Sequence, residues 1–253
     1  INIHGSKEQS FESIASTKGS TFKVNNLFYN VPARRKFLKK PQTEQRYINK
    51  VMRRFMLSRP DVSFKMISNK KTVYDVPVQE LSTRISEIYG ENYNNNILPV
   101  KMLKDPYEIS GFAGNLSIIK KRQDDQYLFL NGRYIQDRLL NSSIYSAYQS
   151  LIHRGEYPFF ILFLEMPNSS FDVNVHPAKL EVRFVNEWQV YHVIKSSITS
   201  VLQDILNVIP DYKSYDSKPL YIDRNSSELT FPGKQYSGLL VEEKPPHQKN
   251  IKD

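Results

Sequence analysis

Apolar and polar residues alternate along residues 171–184, which read FDVNVHPAKLEVRF. Alternation with a period of two is typical of a half-buried strand. Pro177 interrupts this pattern because it has no backbone N–H to donate, and it favours an extended conformation at His176. The stretch therefore predicts two strands that flank a short loop, and Lys179 stands where that loop ends.

Helical periodicity recurs at four places, where apolar residues lie three and four positions apart. Thr43 is the expected N-cap of the first helix and Asp137 of the third, and Gly90 is expected to follow the end of the second. The predicted helices are residues 43–58, residues 81–89, a helix that starts after Asp137 and runs to about residue 152, and about residues 187–206.

The first of these helices has a well-defined apolar stripe. Ile48, Val51, Met52 and Phe55 form it, and we expect it to face the core. The basic residues of the helix lie off the stripe: Arg46, Lys50, Arg53 and Arg54.

Further strands are predicted where short apolar or alternating runs are bounded by turn residues. Alternation of Phe22 and Val24 with polar neighbours indicates strands within residues 1–27. A hairpin is expected over residues 62–76, with Asn69 and Lys70 at its turn. The near-continuous apolar run at residues 159–164 predicts a strand buried on both faces. The remaining strands are expected from residue 97 and at residues 107–112 and 127–130.

Residues 30–40 are strongly basic and contain Pro32. A charge run is usually a solvated face, but Phe28, Tyr29 and Phe37 interleave with the cations. We therefore expect an irregular segment that these aromatic side chains fix to a core.

The 253 residues carry a formal net charge of +9, and 40% of them are hydrophobic. These values favour a folded protein with an anionic partner such as nucleic acid. The absence of cysteine excludes disulfides and thiolate metal sites. No secretory signal is visible. Since the chain opens on Ile1 within a strand-like stretch, we expect a piece of a longer protein.

Three blocks of sequence resemble the MutL family of DNA mismatch repair proteins. Residues 174–184, NVHPAKLEVRF, are similar to the NVHPAK signature of the family. Residues 19–38, GSTFKVNNLFYNVPARRKFL, and residues 128–140, LFLNGRYIQDRLL, resemble two further family blocks. The blocks stand in the family's order, and the resemblance covers roughly residues 1–206.

The resemblance implies an α+β fold: the C-terminal part of a GHKL ATPase domain, followed by a transducer domain like domain 2 of ribosomal protein S5. Residues 1–78 are the expected ATPase part, residues 79–209 the transducer, and residues 210–253 a largely disordered linker. The transducer is expected to be a two-layer α/β domain with an exposed sheet face. Its βαβ crossover is expected to be left-handed, against the general rule.

The resemblance also implies ATP and Mg²⁺ as cofactors of the intact protein. Lys179 matches the lysine that reaches the γ-phosphate from the second domain, and Ser20 and Thr21 match the phosphate-proximal residues of the first. The family's catalytic Glu, Mg²⁺-binding Asn and lid have no counterpart in this sequence. The fragment is therefore expected to hold no cofactor and to hydrolyse no ATP alone. The spacing of the histidines favours no metal site.

For DNA, the resemblance implies a basic groove over the transducer, with Arg138 at the position of a DNA-contacting arginine. Arg133 is the second candidate, although an arginine beside Asn131-Gly132 is also suited to holding its own loop. The implied partners are DNA bound without sequence specificity, a mismatch-recognition protein, downstream repair enzymes and a second copy of the intact protein. The implied location is the bacterial cytoplasm, in association with the nucleoid.

Other functions remain open on the residues alone. Spacing by itself favours Lys179 as a solvated lysine, Thr21 as a strand threonine, and Arg138 equally as a first-turn arginine in a surface salt bridge. A non-enzymatic nucleic-acid-binding module with an S5-like fold would share the basic α/β pattern but would not require Lys179 or Thr21. A GHKL ATPase of the gyrase type is disfavoured by the NVHPAK and PARRKFL blocks together.

Overall fold

The computed structural model describes residues 1–4, 7–13, 15, 17–173 and 179–206. The helices found there are α1 (Pro32–Lys36), α2 (Pro41–Ser58), α3 (Leu81–Tyr89), α4 (Arg138–Tyr148) and α5 (Glu187–Leu206). The strands found there are β1 (Asn2–His4), β2 (Lys7–Ser10), β3 (Phe64–Ser68), β4 (Lys71–Val76), β5 (Ile97–Lys104), β6 (Tyr107–Gly114), β7 (Gln126–Leu130), β8 (Arg133–Ile135), β9 (Phe160–Glu165), β10 (Phe171–Asp172) and β11 (Arg183–Phe184).

Five strands form one mixed sheet in the order β5-β6-β9-β7-β8. The β7–β9 pair is parallel and the other pairs are antiparallel. The central strand β9 is buried on both faces, and Phe160, Ile161 and Leu162 are at most 1% exposed. This confirms the strand predicted from the apolar run, and the mixed sheet with its helices confirms the α+β class. The chain returns from β7 to β9 through β8 and α4, and the left-handed course of this crossover stays a prediction.

Both faces of the sheet are covered, because its strands alternate their side chains between two apolar clusters. On one face α4 and α5 pack against the strands, with Ile144 and Ile198 fully buried. On the other face α3 and the end of α2 bury Tyr127, Phe129 and Ile161. The expectation of an exposed sheet face is therefore wrong, because Ile85 of α3 and Leu57 of α2 pack into the second cluster.

Helix α2 is present, but it differs from the prediction in two respects. It begins at Pro41, and Lys40 precedes it without a side-chain cap, so Thr43 is not the N-cap. The apolar stripe is largely exposed, since Ile48 is 50% and Phe55 55% accessible. Amphipathicity shows which face is apolar but not whether a partner covers it, and no described element covers this one.

The first 40 residues depart most from the prediction. Within the described residues, strands occur before β3 only at β1 and β2, which pair with each other. Phe22 is 91% and Val24 77% exposed, and they lie outside any strand, because alternation forms a strand only where a neighbouring backbone provides hydrogen bonds. The basic segment contains α1, with Pro32 at its first turn. Phe37 is 80% exposed, so the expectation that it fixes this segment to a core is wrong.

Most of the remaining local predictions hold, but α4 ends at Tyr148 and not near residue 152, because residues 149–152 form a turn and a bend. Asn69 and Lys70 form the turn between β3 and β4, and both have positive φ angles, of 49° and 63°. Gly90 ends α3 with a φ of 105°, which glycine tolerates without a side-chain clash. The predicted linker from residue 210 lies outside the described residues, as do residues 174–178. The domain boundary near residue 78 stays a prediction, and residues Ile1–Ile205 form one structural unit.

Candidate functional site

Lys179 lies in a bend between two short paired strands. Phe171 pairs with Phe184, and Asp172 pairs with Arg183, so the two predicted strands pair with each other, over two residues each in the described part of the chain. Lys179 is exposed and has a φ of 52°, in the left-handed region that few side chains adopt. This backbone conformation turns the chain sharply where the hairpin returns to β11.

A backbone hydrogen bond joins this bend to the segment that precedes α4. The N–H of Gln136 donates to the carbonyl of Leu180 at 2.7 Å. Leu180 directly follows Lys179, and Gln136 stands two positions before Arg138. The structure therefore connects the backbones next to two predicted site residues from different sequence blocks.

The start of α4 is capped by Asp137, as predicted. Its carboxylate accepts a hydrogen bond of 3.0 Å from the backbone N–H of Leu140. Asp137 is only 9% exposed, and this burial raises the pKa of its carboxyl group, with smaller contributions from Glu187 and Glu181. Arg138 follows on the exposed side of the helix, and the described residues offer it no ion pair.

The loop between β7 and β8 is held by Asn131 and not by Arg133. The Asn131 side chain accepts from the N–H of Met166 at 3.1 Å and donates to the Met166 carbonyl at 2.9 Å. Arg133 pairs with Leu130 through the strand backbones, but no hydrogen bond of its exposed side chain is found among the described residues. The suggestion that Arg133 holds the loop is therefore wrong, because the shorter amide side chain reaches the end of β9 directly.

Ser20 and Thr21 lie in an exposed segment without regular secondary structure, between the described N-terminal hairpin and α1. Their hydroxyl groups make no hydrogen bond to another described residue. They are thus accessible, and their role at a phosphate stays a prediction.

The sequence did not reveal that α2 contacts the rest of the unit through arginines. Arg53 donates to the Tyr74 hydroxyl at 3.0 Å and pairs with Asp125 at 3.4 Å. Arg54 lies over the Tyr134 ring, with 4.0 Å between its Cζ atom and the ring centre. Burial raises the pKa of the Asp125 carboxyl group, and the neighbouring Arg53 and Lys120 oppose this rise.

Arg84 of α3 makes a second set of contacts that the sequence analysis did not predict, although the sequence contains a signal for them. Its side chain is fully buried and donates to backbone carbonyls of Met56, Pro60 and Val62 at 3.0–3.1 Å, and also to that of Pro77. Arg84 lies three positions after Leu81 and directly before Ile85, on the apolar face of α3. A cation on that face indicates a buried side chain with specific acceptors.

Two kinds of site are absent from the described residues. They contain no group of three or more His, Cys, Asp or Glu side chains arranged to hold a metal ion. None of their helices is long and apolar enough to cross a membrane.

Comparison with known proteins agrees with this architecture. Residues 85–203, which include the five-stranded sheet with α4 and most of α5, match the protein family described as "DNA mismatch repair protein, C-terminal domain". A solved structure described as the N-terminal domain of a DNA repair protein superimposes with a TM-score of 0.61 at 20% identity, over 73% of this chain and 61% of that one. The superposition shows the fold, and the family match places the chain in the class of DNA repair proteins.

Relatives with assigned names define the family within this class. The DNA mismatch repair protein MutL of Christiangramia forsetii is 33% identical over 94% of this chain, and MutL of Chlorobium phaeovibrioides is 39% identical over 82%. The chain belongs to the MutL family of DNA mismatch repair proteins. It covers 42% and 34% of the length of these two relatives.

Proposed function

We propose that this chain is part of a DNA mismatch repair protein in which ATP binding controls DNA binding and the recruitment of repair enzymes. Family membership supports this function over a nucleic-acid-binding module without enzymatic activity. The proposed partners are DNA, a mismatch-recognition protein, downstream repair enzymes and a second copy of the whole protein. Its proposed location is the bacterial cytoplasm, at the nucleoid.

Lys179 is the proposed sensor of the terminal phosphate of ATP. Its ammonium group is exposed, and no ion pair to it is found in the described part of the chain. A free lysine fits a phosphate, because its compact charge approaches a concentrated negative charge from any direction. Ser20 and Thr21, with exposed hydroxyl groups, are the proposed additional phosphate donors. ATP with Mg²⁺ would supply the phosphoanhydride whose hydrolysis resets the protein.

The observation that carries the proposal is the hydrogen bond from Gln136 to Leu180. If Lys179 moves toward a phosphate, the carbonyl of Leu180 moves with it, and so does the backbone that precedes Arg138. Arg138 is the proposed DNA contact, with Arg133 as a second one. A change at the nucleotide would thereby be transmitted to the segment that contacts DNA.

Lys179→Ala in the whole protein tests this function. Removal of one donor to a phosphate in the transition state should lower ATP turnover about 100-fold or more. ADP affinity should stay nearly unchanged, because ADP has no terminal phosphate. Lys104→Ala, at an exposed lysine on the far edge strand β5, serves as the control and should leave both quantities unchanged. Equal losses of ATP turnover and ADP affinity would contradict the sensor role, and absence of ATP hydrolysis by the whole wild-type protein would favour the non-enzymatic module.

A further inference from the structure

A small cavity lies between α2, the loop before β7 and the start of α4. Its volume is about 250 Å³. Lys50 and Arg138 line it from two different helices, together with the amide side chains of Gln123, Gln136 and Asn141. Asp124 is a further wall residue. Arg138 is predicted from its sequence block, whereas no motif indicates Lys50 or the cavity.

The cations of this cavity are unpaired, whereas those beside it are paired. Arg53 and Lys120 both approach the carboxylate of Asp125, at 3.4 and 4.0 Å. No ion pair of Lys50 or Arg138 is found among the described residues. The two free positive charges therefore face one space, and a ligand with negative charge would be attracted there.

Two carboxylates, those of Asp124 and Asp137, also line the cavity and oppose an anion. Asp137 uses its carboxylate to accept the hydrogen bond from the Leu140 N–H that caps α4. Asp124 is exposed and unpaired among the described side chains. Behind the wall, Arg54 lies on the ring of Tyr134, which also lines the cavity, and adds a third positive charge. Three cations, Lys50, Arg138 and Arg54, thus stand against the carboxylates of Asp124 and Asp137, and the balance is positive by one charge.

The size of the cavity indicates the kind of anion. About 250 Å³ lies below the range of sites that enclose a whole small molecule, which begins at about 300 Å³. A single phosphate group with its first waters fits. Gln136 uses its amide group to donate to the Tyr134 hydroxyl at 3.0 Å, so its second N–H stays available for an anion. Two cations and neutral amide donors are typical of contacts to a nucleic-acid backbone.

We propose that this cavity binds one backbone phosphate of DNA between Lys50 and Arg138. Lys50 is then a DNA-binding residue contributed by α2, in addition to Arg138 of α4. This inference rests on the proposed DNA-binding function and deepens it, because it states where one phosphate lies and which two elements hold it. A strand bound there would bridge α2 and α4.

The test measures binding of the whole protein to a long, fluorescently labelled duplex of mixed sequence over a series of salt concentrations. Each phosphate contact contributes about 0.9 to the slope of log affinity against log salt. Lys50→Ala and Arg138→Ala should therefore each reduce this slope by about 0.9, for all sequences alike. Asp124→Asn should strengthen binding about two- to fivefold at low salt, because it removes one nearby negative charge at the surface.

Lys101→Ala is the matched control. Lys101 is an exposed lysine on β5, at the edge of the sheet opposite β8, and its removal should leave the slope unchanged. An unchanged slope in Lys50→Ala, alongside a reduced slope in Arg138→Ala, would overturn the cavity assignment and leave DNA binding standing. Absence of duplex binding by the wild type would instead overturn the proposed DNA-binding function.

An inorganic phosphate ion has the same chemistry as a phosphate of the DNA backbone, so a second experiment distinguishes these two ligands. Inorganic phosphate is added to the complex while chloride keeps the ionic strength constant. If the cavity binds a backbone phosphate, inorganic phosphate should displace the duplex no better than chloride does. If phosphate displaces the duplex at much lower concentrations than chloride does, and Lys50→Ala abolishes this difference, the cavity is a site for free phosphate. That result would overturn the assignment to DNA.

Discussion

The guanidinium group of Arg84 in α3 donates a hydrogen bond of 3.0 Å to the backbone carbonyl of Met56 in α2. The same group donates to the carbonyls of Pro60 and Val62, both at 3.1 Å, in the connection that follows α2. Arg84 is fully buried, and no ion pair to it is found among the described residues. One side chain thus fixes the end of α2, the connection after it and the start of α3 relative to each other.

Arg84→Ala should destabilise the protein strongly, because several buried carbonyls would lose their donor at once. Loss of such a network costs about 3–5 kcal/mol. Urea unfolding, followed by circular dichroism, measures the change. Arg59→Ala is the control: Arg59 pairs with Asp61 at 2.7 Å on the exposed surface, and its loss should leave the unfolding midpoint almost unchanged. Similar midpoints for both variants would contradict the role assigned to Arg84.

The cap of α4 gives a second prediction. Asp137→Ala removes the acceptor of the Leu140 N–H and should cost about 1 kcal/mol of stability. Asp137→Asn keeps an oxygen at the same place and should cost less, since asparagine is an equally favoured N-cap. A loss in Asp137→Asn as large as that in Asp137→Ala would show that the charge, and not the hydrogen bond, stabilises the helix.

The contribution of Asp137 to the stability of the fold should depend on pH in a direction that its environment fixes. Burial raises the pKa of the folded Asp137 carboxyl above its unfolded value, so the folded state binds this proton more tightly. The stabilisation that Asp137 contributes in this way is present at low pH and is lost as pH rises through the folded pKa. The stability of the wild type relative to Asp137→Asn should therefore increase as pH falls from about 7 to about 4. Urea unfolding of both proteins across this range measures it, and the opposite slope would exclude burial as the dominant cause.

Periodicity predicted the elements whose partners are present in the chain. The apolar residues of α4 and α5 follow a helical period and pack against the sheet, and the apolar run of β9 forms the central strand of that sheet. Periodicity failed for the stripe of α2 and for the alternation around Phe22. A pattern of this kind shows that a face is suited to burial, whereas burial itself depends on a second surface. Residues 1–4, 7–13, 15, 17–173 and 179–206 do not provide that surface.

The candidate site was predictable only where motifs exist. Lys179 and Arg138 followed from sequence blocks, but the hydrogen bond between Gln136 and Leu180 is made by backbone groups, which every residue carries. Lys50 has no motif and belongs to the polar face of a helix. Only the fold brings Lys50 of α2 to the same cavity as Arg138 of α4.

The last prediction concerns the contact between α2 and β8. The Cζ atom of Arg54 lies 4.0 Å from the centre of the Tyr134 ring, and its Nε atom is buried without a hydrogen bond in the described part of the chain. The ring face is then a main electrostatic partner of this guanidinium. Such a cation–π contact contributes about 0.5–2 kcal/mol, with the larger values where the cation is desolvated.

A double-mutant cycle isolates this energy. Arg54→Met keeps an apolar stem of similar length and removes the charge, and Tyr134→Leu removes the ring. The two substitutions together should cost about 1 kcal/mol less than the sum of their separate costs in urea unfolding. Tyr134→Phe is the matched control, because it keeps the ring and removes only the hydroxyl that accepts from Gln136 at 3.0 Å. Arg54→Met should cost as much in the Tyr134→Phe background as in the wild type. If Arg54→Met costs as much in the Tyr134→Leu background as in the wild type, α2 is held on β8 by apolar packing alone, and the arginine charge contributes nothing to this contact.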